Sequence, residues 1–265
     1  MTNLIKRSFY AAILLLVFSC KHGKQLQQSA GISTATSNPS FLLLSDIHLD
    51  IENDKTVYGH DTGSDLWNIF LQKTDSILGG ENAPQFILCL GDMTNHYRCS
   101  PTCYLAPDKR DDHNKDLVAV FTGLRKLAEK HHKPFFYLPG NNDALAGDYY
   151  SFADEQKQTP FSLVPDINNP YPALNILPAS TKAPSMISNP QPTLGFYSVR
   201  PVEGLRLICL NTIMFNKYFT AVDGSSSDST RAIQLIWLKD QLMAARSMNE
   251  KVYIAMHIPP RQGCL

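Results

Sequence analysis

The sequence predicts an α/β domain in which a parallel sheet places polar side chains along one edge. Short apolar runs of strand length alternate with segments of helical periodicity, and three of these runs end in acidic, amide or imidazole side chains. The carboxyl ends of parallel strands are where α/β proteins gather their sites. The chain has 265 residues and is 43% hydrophobic, which suits one globular domain of ordinary size.

The first strand is predicted at Phe41–Leu44, and candidate metal ligands follow it. Asp46 and His48 stand two residues apart, so in extended chain their side chains project to the same side. A carboxylate and an imidazole suit zinc, iron or manganese. Taken alone, an Asp-x-His at the start of a loop is more typical of a turn aspartate and a surface histidine. The metal interpretation therefore depends on the strands that follow.

Two further strands are predicted to repeat this arrangement. The apolar run Gln85–Leu90 has the composition of a strand covered on both faces, and Pro134–Leu138 is the next such run. The first run is followed by Gly91-Asp92 and the second by Gly140-Asn141-Asn142-Asp143. Their polar residues are therefore expected beside Asp46 and His48.

Helical periodicity separates these strands. One helix is predicted over Ser64–Leu78, with Ser64 as its cap and Gly79-Gly80 as its stop, and a second over Lys115–His131. The apolar residues predicted to face the core are Leu66, Ile69, Phe70 and Ile77 in the first helix and Leu117, Phe121, Leu124, Leu127 and Ala128 in the second.

The second half of the chain predicts a second sheet after an irregular insertion. The insertion is Gln158–Pro192, which is rich in proline. A hairpin of Phe196–Arg200 and Leu205–Asn211 follows, and then a helix over Thr230–Ser247. The residues predicted to face inward from this helix are Leu235, Leu238, Leu242 and Ala245. The last strand, Lys251–His257, delivers one more histidine.

The amino terminus has the pattern of a targeting segment. Residues 1–19 combine a basic start with an apolar core of about ten residues, which is short for a membrane span. Val17–Cys20 resembles a bacterial lipobox, which implies that Cys20 is lipidated, and residues 20–40 then form a flexible tether. An ordinary secretory signal is the alternative. Both interpretations predict an exported domain, and the first predicts a membrane-anchored lipoprotein of the periplasm or cell surface.

The remaining cysteines fit an exported protein. Cys89 and Cys209 lie in apolar strand-like runs and are predicted to be buried thiols. Cys99 and Cys103 flank a short polar stretch and are a candidate disulfide in an oxidising compartment. A zinc knuckle is the less favoured alternative, because no second pair of suitable spacing accompanies them.

The charge balance excludes one class of partner. Lys and Arg together number 24, as do Asp and Glu, and there is no basic block. Binding to nucleic acid through a phosphate-neutralising face is therefore not expected. No protein partner is predicted either.

The ordered series of motifs resembles the calcineurin-like metallophosphoesterase superfamily. Asp46-x-His48, Gly91-Asp92, Gly140-Asn141 and His257 occur in this order, each at a predicted strand end. Gly91-Asp92-x-x-x-His96 and His257-Ile-Pro-Pro are similar to the acid-sphingomyelinase-like branch, and Gly-Asn-Asn-Asp at 140–143 is similar to its endopolyphosphatase relatives. The resemblance implies that residues 41–265 form a two-sheet α/β sandwich flanked by helices, with α/β/β/α layers.

The resemblance also implies a binuclear metal centre. Asp46 and His48 would bind the first ion, Asp92 would bridge both ions through its two oxygens, and Asn141 and His257 would bind the second. Zinc is favoured, with iron and manganese as alternatives. Two such ions can hold a hydroxide for attack on phosphorus.

Two active-site residues follow from the resemblance by comparison with its usual motif. The usual Gly-Asn-His-Asp has a histidine where this chain has Asn142, and an amide can donate a hydrogen bond but cannot supply a proton. His96 matches the other active-site histidine of the branch, so the general-acid role is expected to fall to it.

The usual closing Gly-His-x-His motif is not found after His257, so the sequence predicts an incomplete domain with both metals under-coordinated. The other histidines are expected at the solvated surface and not in the site. They are His22, His60, His113, His131 and His132.

The function implied is hydrolysis of a phosphate ester, most typically a diester with a small-molecule or lipid-headgroup substrate. Hydrolysis of polyphosphate or phosphomonoesters is one alternative. Capture of phosphorylated ligands without turnover, by a lipoprotein that lacks its last metal ligands, is another.

Overall fold

A computed structural model of the chain describes residues 40–96, 104–164 and 191–260. The predictions for the leader, for Cys20 and for the Cys99 and Cys103 pair lie outside these residues. So does most of the proline-rich insertion, of which a 3₁₀ turn at Pro160–Leu163 is described.

The first sheet is parallel, as the alternation of strands and helices predicts. Its strands are β1 (Phe41–Leu44), β2 (Phe86–Cys89) and β3 (Phe135–Tyr137), in that order across the sheet. Leu43 pairs with Leu88, and Leu88 pairs with Phe136. All four residues of β2 are buried because this strand is central, so the prediction of a strand covered on both faces is confirmed.

Two helices connect these strands. The first, α1, spans Ser64–Leu78, as predicted, and Gly79 ends it. Its N-cap is Gly63, so the prediction of Ser64 as the cap is wrong. The second, α2, spans Pro107–Lys130 and begins eight residues before the predicted start. Proline at the first helical position suits a helix start, because its φ is preset and its missing N–H has no partner to lose. The polar first turns of α2 carry no apolar period, so the sequence pattern did not show them.

The second sheet is mixed. Strands β4 (Tyr197–Val202) and β5 (Leu205–Leu210) form the predicted antiparallel hairpin, which has a bulge between Val199 and Val202. Helix α3 (Ser227–Ser247) then leads to β6 (Lys251–Met256), which pairs parallel with β5. The described residues therefore form a mixed α/β arrangement of two three-stranded sheets with helices.

Side chains from both sheets belong to one hydrophobic cluster. The cluster includes Leu44 and Ile87 from the first sheet and Val199 and Leu207 from the second. Tyr197 also joins the sheets through backbone groups: its hydroxyl accepts from the N–H of Tyr137 at 3.1 Å and donates to the same residue's carbonyl at 2.8 Å. Both buried cysteines, Cys89 and Cys209, are free thiols, as predicted.

The predicted inward face of α3 is confirmed for Ala245, which is buried, and for Leu238, which packs against the core, but it is wrong for the other two leucines. Leu235 and Leu242 are exposed, whereas the buried residues include two glutamines. The buried set is Thr230, Gln234, Trp237, Gln241 and Ala245. Gln241 accepts from the Ser198 hydroxyl at 2.6 Å and from Arg206 at 2.7 Å. Polar residues with such partners can lie inside, so counting apolar residues alone placed part of the inward face wrongly.

The predicted face of α1 is confirmed for Phe70, which packs against the core, and wrong for the other three residues. Leu66, Ile69 and Ile77 are exposed, whereas Trp67, Thr74 and Leu78 are buried. The predicted face of α2 is confirmed, since Leu117, Phe121, Leu124 and Ala128 are buried and Leu127 packs against them.

None of the helices in the described ranges is long and apolar enough to span a bilayer.

Gly123 sets how closely α2 approaches α1. A Cβ at this position would lie 2.7 Å from the ring of Trp67, and that ring is 4% exposed. We expect Gly123→Ala to destabilise the fold by about 1–3 kcal/mol through overpacking, despite the better helix propensity of alanine. Denaturant unfolding measures this change. Lys126→Ala, at an exposed position of the same helix, is the control, and equal stability of the two variants would contradict the packing argument.

Candidate metal centre

Four strand ends deliver the predicted ligands to one place. Asp46 and His48 follow β1, Asp92 follows β2, Asn141 follows β3 and His257 follows β6. The structure brings these five side chains together. Two of the strands belong to the first sheet's outer positions, one to its centre and one to the second sheet.

The backbone near the first ligands is turned rather than extended. Asp46, His48 and Asp92 have φ values of 54°, 46° and 54°. The expectation that extended chain projects Asp46 and His48 to one side is therefore wrong, and a left-handed turn brings them together. Non-glycine residues in this region are uncommon and cluster at functional sites. All three of these residues were predicted as ligands.

One oxygen of Asp92 stands between the two histidines. Its Oδ2 lies 3.6 Å from His48 Nε2 and 3.4 Å from His257 Nε2. His48 Nε2 is also 3.8 Å from Asp46 Oδ1, and His257 Nε2 is 3.2 Å from Asn141 Oδ1. The other oxygen of Asp92 accepts the backbone N–H of Asn142 at 3.0 Å. In contrast with the expectation of a bridge through both oxygens, Oδ2 alone faces both sides.

Backbone carbonyls orient the two histidines. His48 Nδ1 lies 3.0 Å from the carbonyl of Thr94, and His257 Nδ1 lies 2.8 Å from that of Leu90. A carbonyl only accepts, so each Nδ1 carries a proton and donates it. Nε2 is then the atom of each ring that faces Asp92. Such a second contact is what fixes the ring of a metal-binding histidine.

Asp148 orients Asn141 and was missed from the sequence. The Asn141 amide nitrogen donates to Asp148 Oδ1 at 2.8 Å, which turns its Oδ1 toward His257. Burial raises the pKa of Asp148 to about 6. A signal was present, because Asp148 lies in the largely apolar stretch 144–153. An acidic residue in a buried stretch needs a partner.

Asp143 links the loops that follow β2 and β3. It is fully buried and accepts from the backbone N–H groups of Asp92, Met93 and Gly140 at 2.7–2.9 Å, and from the Tyr137 hydroxyl at 2.9 Å. Burial and the charge of Asp92 raise its pKa. Together these contacts fix Asp92 relative to the following loop.

Glycine is required where these two loops cross. Gly91 has a φ of 89°, and a Cβ there would lie 2.0 Å from the nitrogen of Gly140. A Cβ on Gly140 would lie 2.1 Å from Asp92 Oδ1. Both positions therefore exclude any side chain, which explains why Gly precedes Asp92 and Asn141 in the two motifs.

His96 and Asn142, the predicted catalytic residues, lie on different sides of His48. The ring of His96 stacks on that of His48 with centroids 4.0 Å apart, and its side chain is 60% exposed. Asn142 is 5% exposed, and its amide nitrogen lies 3.3 Å from His48 Nδ1. Asn142 is therefore within the ligand cluster, and His96 is at its open side.

The carboxylates of Asp46 and Asp92 are paired with the side chains of His48 and His257. Burial lowers the pKa of His257, but the hydrogen bond to Asp92 and the charge of Asp92 outweigh it and raise the pKa to about 9. Burial also opposes protonation of His48, yet Asp46 and Asp92 raise its pKa. The hydrogen bond from His48 lowers the pKa of Asp46. The described ion pairs of Asp46 and Asp92 involve no lysine or arginine.

This donor set fits metal ions of the type predicted. Asp46, Asp92 and His257 have ligand atoms within 4.8 Å of one another. Imidazole nitrogens together with carboxylate and amide oxygens suit zinc, iron and manganese. Closely spaced carboxylates without a permanent cation are stabilised by an added cation. The residues present therefore fit the implied ions in chemistry.

One histidine expected at the surface is buried. His113 is 1% exposed, and its Nε2–H donates to the carbonyl of Asn142 at 2.7 Å. Burial lowers the pKa of His113 to about 4. His131 is half-buried against Asp75 at 2.6 Å, whereas His60 and His132 are exposed as expected. The helical pattern of α2 did not reveal His113, because the predicted helix began two residues after it.

Comparison with known proteins identifies the family. The sequence profile described as "Calcineurin-like phosphoesterase" matches residues 39–265. The chain belongs to the calcineurin-like phosphoesterase family.

This calcineurin-like phosphoesterase is also similar to curated sphingomyelin phosphodiesterases over a short stretch. It is 42% identical over 66 residues to the human "Sphingomyelin phosphodiesterase" and 36% identical over 66 residues to "Sphingomyelin phosphodiesterase B" of Dictyostelium discoideum. The bovine "Sphingomyelin phosphodiesterase" is 42% identical over 66 residues. Each match covers 25% of this chain and 10% of the relative's length.

The depressed pKa of His113 predicts that stability falls in mild acid. Below pH 6.5 the unfolded chain binds a proton at this histidine, whereas the folded chain does not until about pH 4. Folding is therefore disfavoured progressively as the pH falls from 6.5 toward 4, by up to about 3 kcal/mol. His113→Gln can still donate to Asn142 and does not titrate.

Denaturant unfolding of both proteins between pH 4 and pH 7 tests this. The stability difference, wild type minus His113→Gln, should become more negative by up to about 3 kcal/mol as the pH falls. Parallel pH profiles would show that His113 is not held neutral.

Proposed function

We propose that this calcineurin-like phosphoesterase hydrolyses phosphate diesters at a two-metal centre. The observation that carries the proposal is the position of Asp92 Oδ2, which faces His48 at 3.6 Å and His257 at 3.4 Å. A shared oxygen between two imidazoles suits two neighbouring ions. The ligands are Asp46 and His48 on one side, Asn141 and His257 on the other, with Asp92 between them.

The bound ions would supply an activated water and neutralise charge on the phosphoryl group. The protein's own contribution is to fix the ligands. Leu90 and Thr94 hold the histidine rings, Asp148 holds the Asn141 amide, and Asp143 holds the loop of Asp92. Zinc is the proposed metal, with iron or manganese as alternatives.

His96 is the proposed proton donor for the leaving group. Its ring lies against His48, and its exposed side chain leaves one nitrogen accessible to substrate. Asn142 is buried within the cluster and lacks an ionisable proton. Asn142 would therefore bind and orient, and His96 would supply the proton.

A lipid-headgroup diester is the proposed substrate class. Similarity to proteins named sphingomyelin phosphodiesterases supports a diester. A lipid anchor at Cys20, following a signal peptide at 1–19, would hold the domain of residues 41–265 near such substrates at the bacterial surface or in the periplasm. The two sheets would form the inner layers of an α/β/β/α sandwich, which their shared hydrophobic cluster supports.

The first test measures metal content and turnover together. Asp92→Asn and His257→Ala should each lower zinc content by elemental analysis, and should lower hydrolysis of bis(p-nitrophenyl) phosphate by more than the roughly 10–100-fold typical of outer-shell changes. His132→Asn is the matched control, because His132 is exposed and has a φ of 52° that asparagine tolerates. Full zinc content and turnover in Asp92→Asn would overturn the proposal.

Substrate preference separates the alternatives. The metal-loaded protein should hydrolyse diesters faster than p-nitrophenyl phosphate or polyphosphate. Faster hydrolysis of either of the latter two would favour the monoesterase or polyphosphatase alternative. Tight zinc and phosphate binding with no turnover of any substrate would favour ligand capture.

The location proposal has its own test. Cys20→Ser should remove lipid labelling and move the protein from the detergent phase to the aqueous phase of a Triton X-114 partition, because stable anchoring needs acyl chains. Cys89→Ser is the control, since Cys89 is buried in β2. A Cys20→Ser protein that remains lipid-labelled would contradict the anchor.

A further inference from the structure

Backbone pairing places Asp61 and His96 on either side of His48. The residue after His48, Leu49, forms a parallel bridge with Thr62 and another with Thr94. The N–H of Thr62 donates to the carbonyl of His48 at 2.8 Å, and the N–H of Asn95 donates to that of Leu49 at 3.0 Å. Both flanking segments are thus fixed in register with the metal-ligand segment.

Both oxygens of Asp61 are engaged by His96. Oδ1 lies 2.6 Å from His96 Nδ1, and Oδ2 accepts the backbone N–H of His96 at 3.0 Å. The Asp61 side chain is 26% exposed, compared with 60% for His96. Burial opposes ionisation of Asp61, but the hydrogen bonds from His96 prevail and lower its pKa. A carboxylate so held fixes both the backbone and the ring of its partner.

The consequence for His96 is a defined orientation. With Nδ1 donating to Asp61, the accessible nitrogen is Nε2. The ring plane is fixed on its other face by the stack on His48, at 4.0 Å and 23°. A loop histidine that is 60% exposed would otherwise sample several rotamers. Asp61 removes that freedom and leaves Nε2 as the atom that meets substrate.

We propose that Asp61 is a positioning residue that orients His96 for its contact with the phosphate ester, so that the two act as one unit. This inference rests on the proposed function, because it assigns the role of His96 to the same site. Nothing in the motif series marks Asp61, which lies in the long loop between β1 and α1.

A metal ion held by His48, Asp61 and His96 is the competing interpretation, since their ligand atoms also lie within 4.8 Å of one another. The Asp61 to His96 distance argues against it. Two ligands of a tetrahedral zinc ion with bonds of about 2.0–2.1 Å stand roughly 3.3 Å apart. A separation of 2.6 Å is that of a charge-assisted hydrogen bond.

The kinetic test is a double-mutant cycle on the zinc-loaded protein. Asp61→Ala, His96→Ala and the double variant are compared on a diester with a nitrophenolate leaving group and on one with an alkyl alkoxide leaving group. Asp54→Ala, an exposed carboxylate in the same loop, is the control. His96→Ala should slow the alkyl substrate by roughly 10²-fold or more, because general-acid help matters for a poor leaving group.

The expected result for Asp61→Ala is a slowing of at least about 10-fold, confined to the alkyl substrate, with zinc content unchanged. In the His96→Ala background, Asp61→Ala should add no further loss. Equal losses on both substrates, or additive losses in the double variant, would overturn the pairing. Loss of zinc in Asp61→Ala would overturn it in favour of a metal-ligand role.

An NMR experiment tests the contact between Asp61 and His96 without measuring turnover. In ¹⁵N-labelled, metal-free protein, His96 Nδ1 should bear a proton protected from exchange, assigned by its disappearance in His96→Ala. Asp61→Ala should remove this protection. An unprotonated Nδ1 in the wild type would overturn the inference. If the wild type fails to hydrolyse both diesters, the proposed function fails, while this spectrum still decides whether Asp61 positions His96.

Discussion

The buried charge of Asp92 is the constraint on which the rest of the site depends. Its carboxylate is 6% exposed and lies close to Asp143, which is fully buried and has a raised pKa. Two acidic groups so placed repel each other unless positive charge is supplied. Histidines at 48 and 257 supply it in the described residues, and metal ions on the same Nε2 atoms would supply more. The buried carboxylate of Asp92 therefore requires nearby positive charge, and bound metal ions would provide it.

The fold fixes the Asp92 carboxylate where the segments after β2 and β3 pack directly against each other. Gly91 and Gly140 leave no room for a Cβ, and Asp143 ties three backbone N–H groups across the crossing. Asp92 is thereby held without freedom to turn away from its partners. The parallel order of β1, β2 and β3 places the remaining ligands around it. The position of each ligand follows from sheet topology, and its orientation follows from second contacts.

Sequence patterns predicted the features that depend on residues close together in the chain. The strands are apolar runs, the five candidate ligands follow such runs, and the approximate helices show apolar periodicity, all of which are visible in the sequence itself. The inward face of α3 was not predictable in this way, because Gln234 and Gln241 are buried by hydrogen bonds to residues distant in sequence, such as Asn211 and Ser198. Burial of polar residues depends on partners that only the folded chain brings together.

The same limit applies to the residues that support the site. Asp61 is 35 residues from His96, and His113 is 29 residues from Asn142. Both separations are too long for a local sequence motif to contain the two residues. Asp148 was accessible to reasoning, since it interrupts an apolar stretch, but its partner was not. Motifs indicated the candidate ligands, whereas the residues that orient them were found from three-dimensional contacts.

The central proposal is that two bound ions would share the carboxylate of Asp92, and low-temperature EPR of the Mn²⁺-loaded protein tests it most directly. Two ions that share a carboxylate oxygen are magnetically coupled, so the account predicts the spectrum of an exchange-coupled Mn²⁺ pair at two equivalents of metal. A spectrum of isolated Mn²⁺ ions at the same loading would contradict the account.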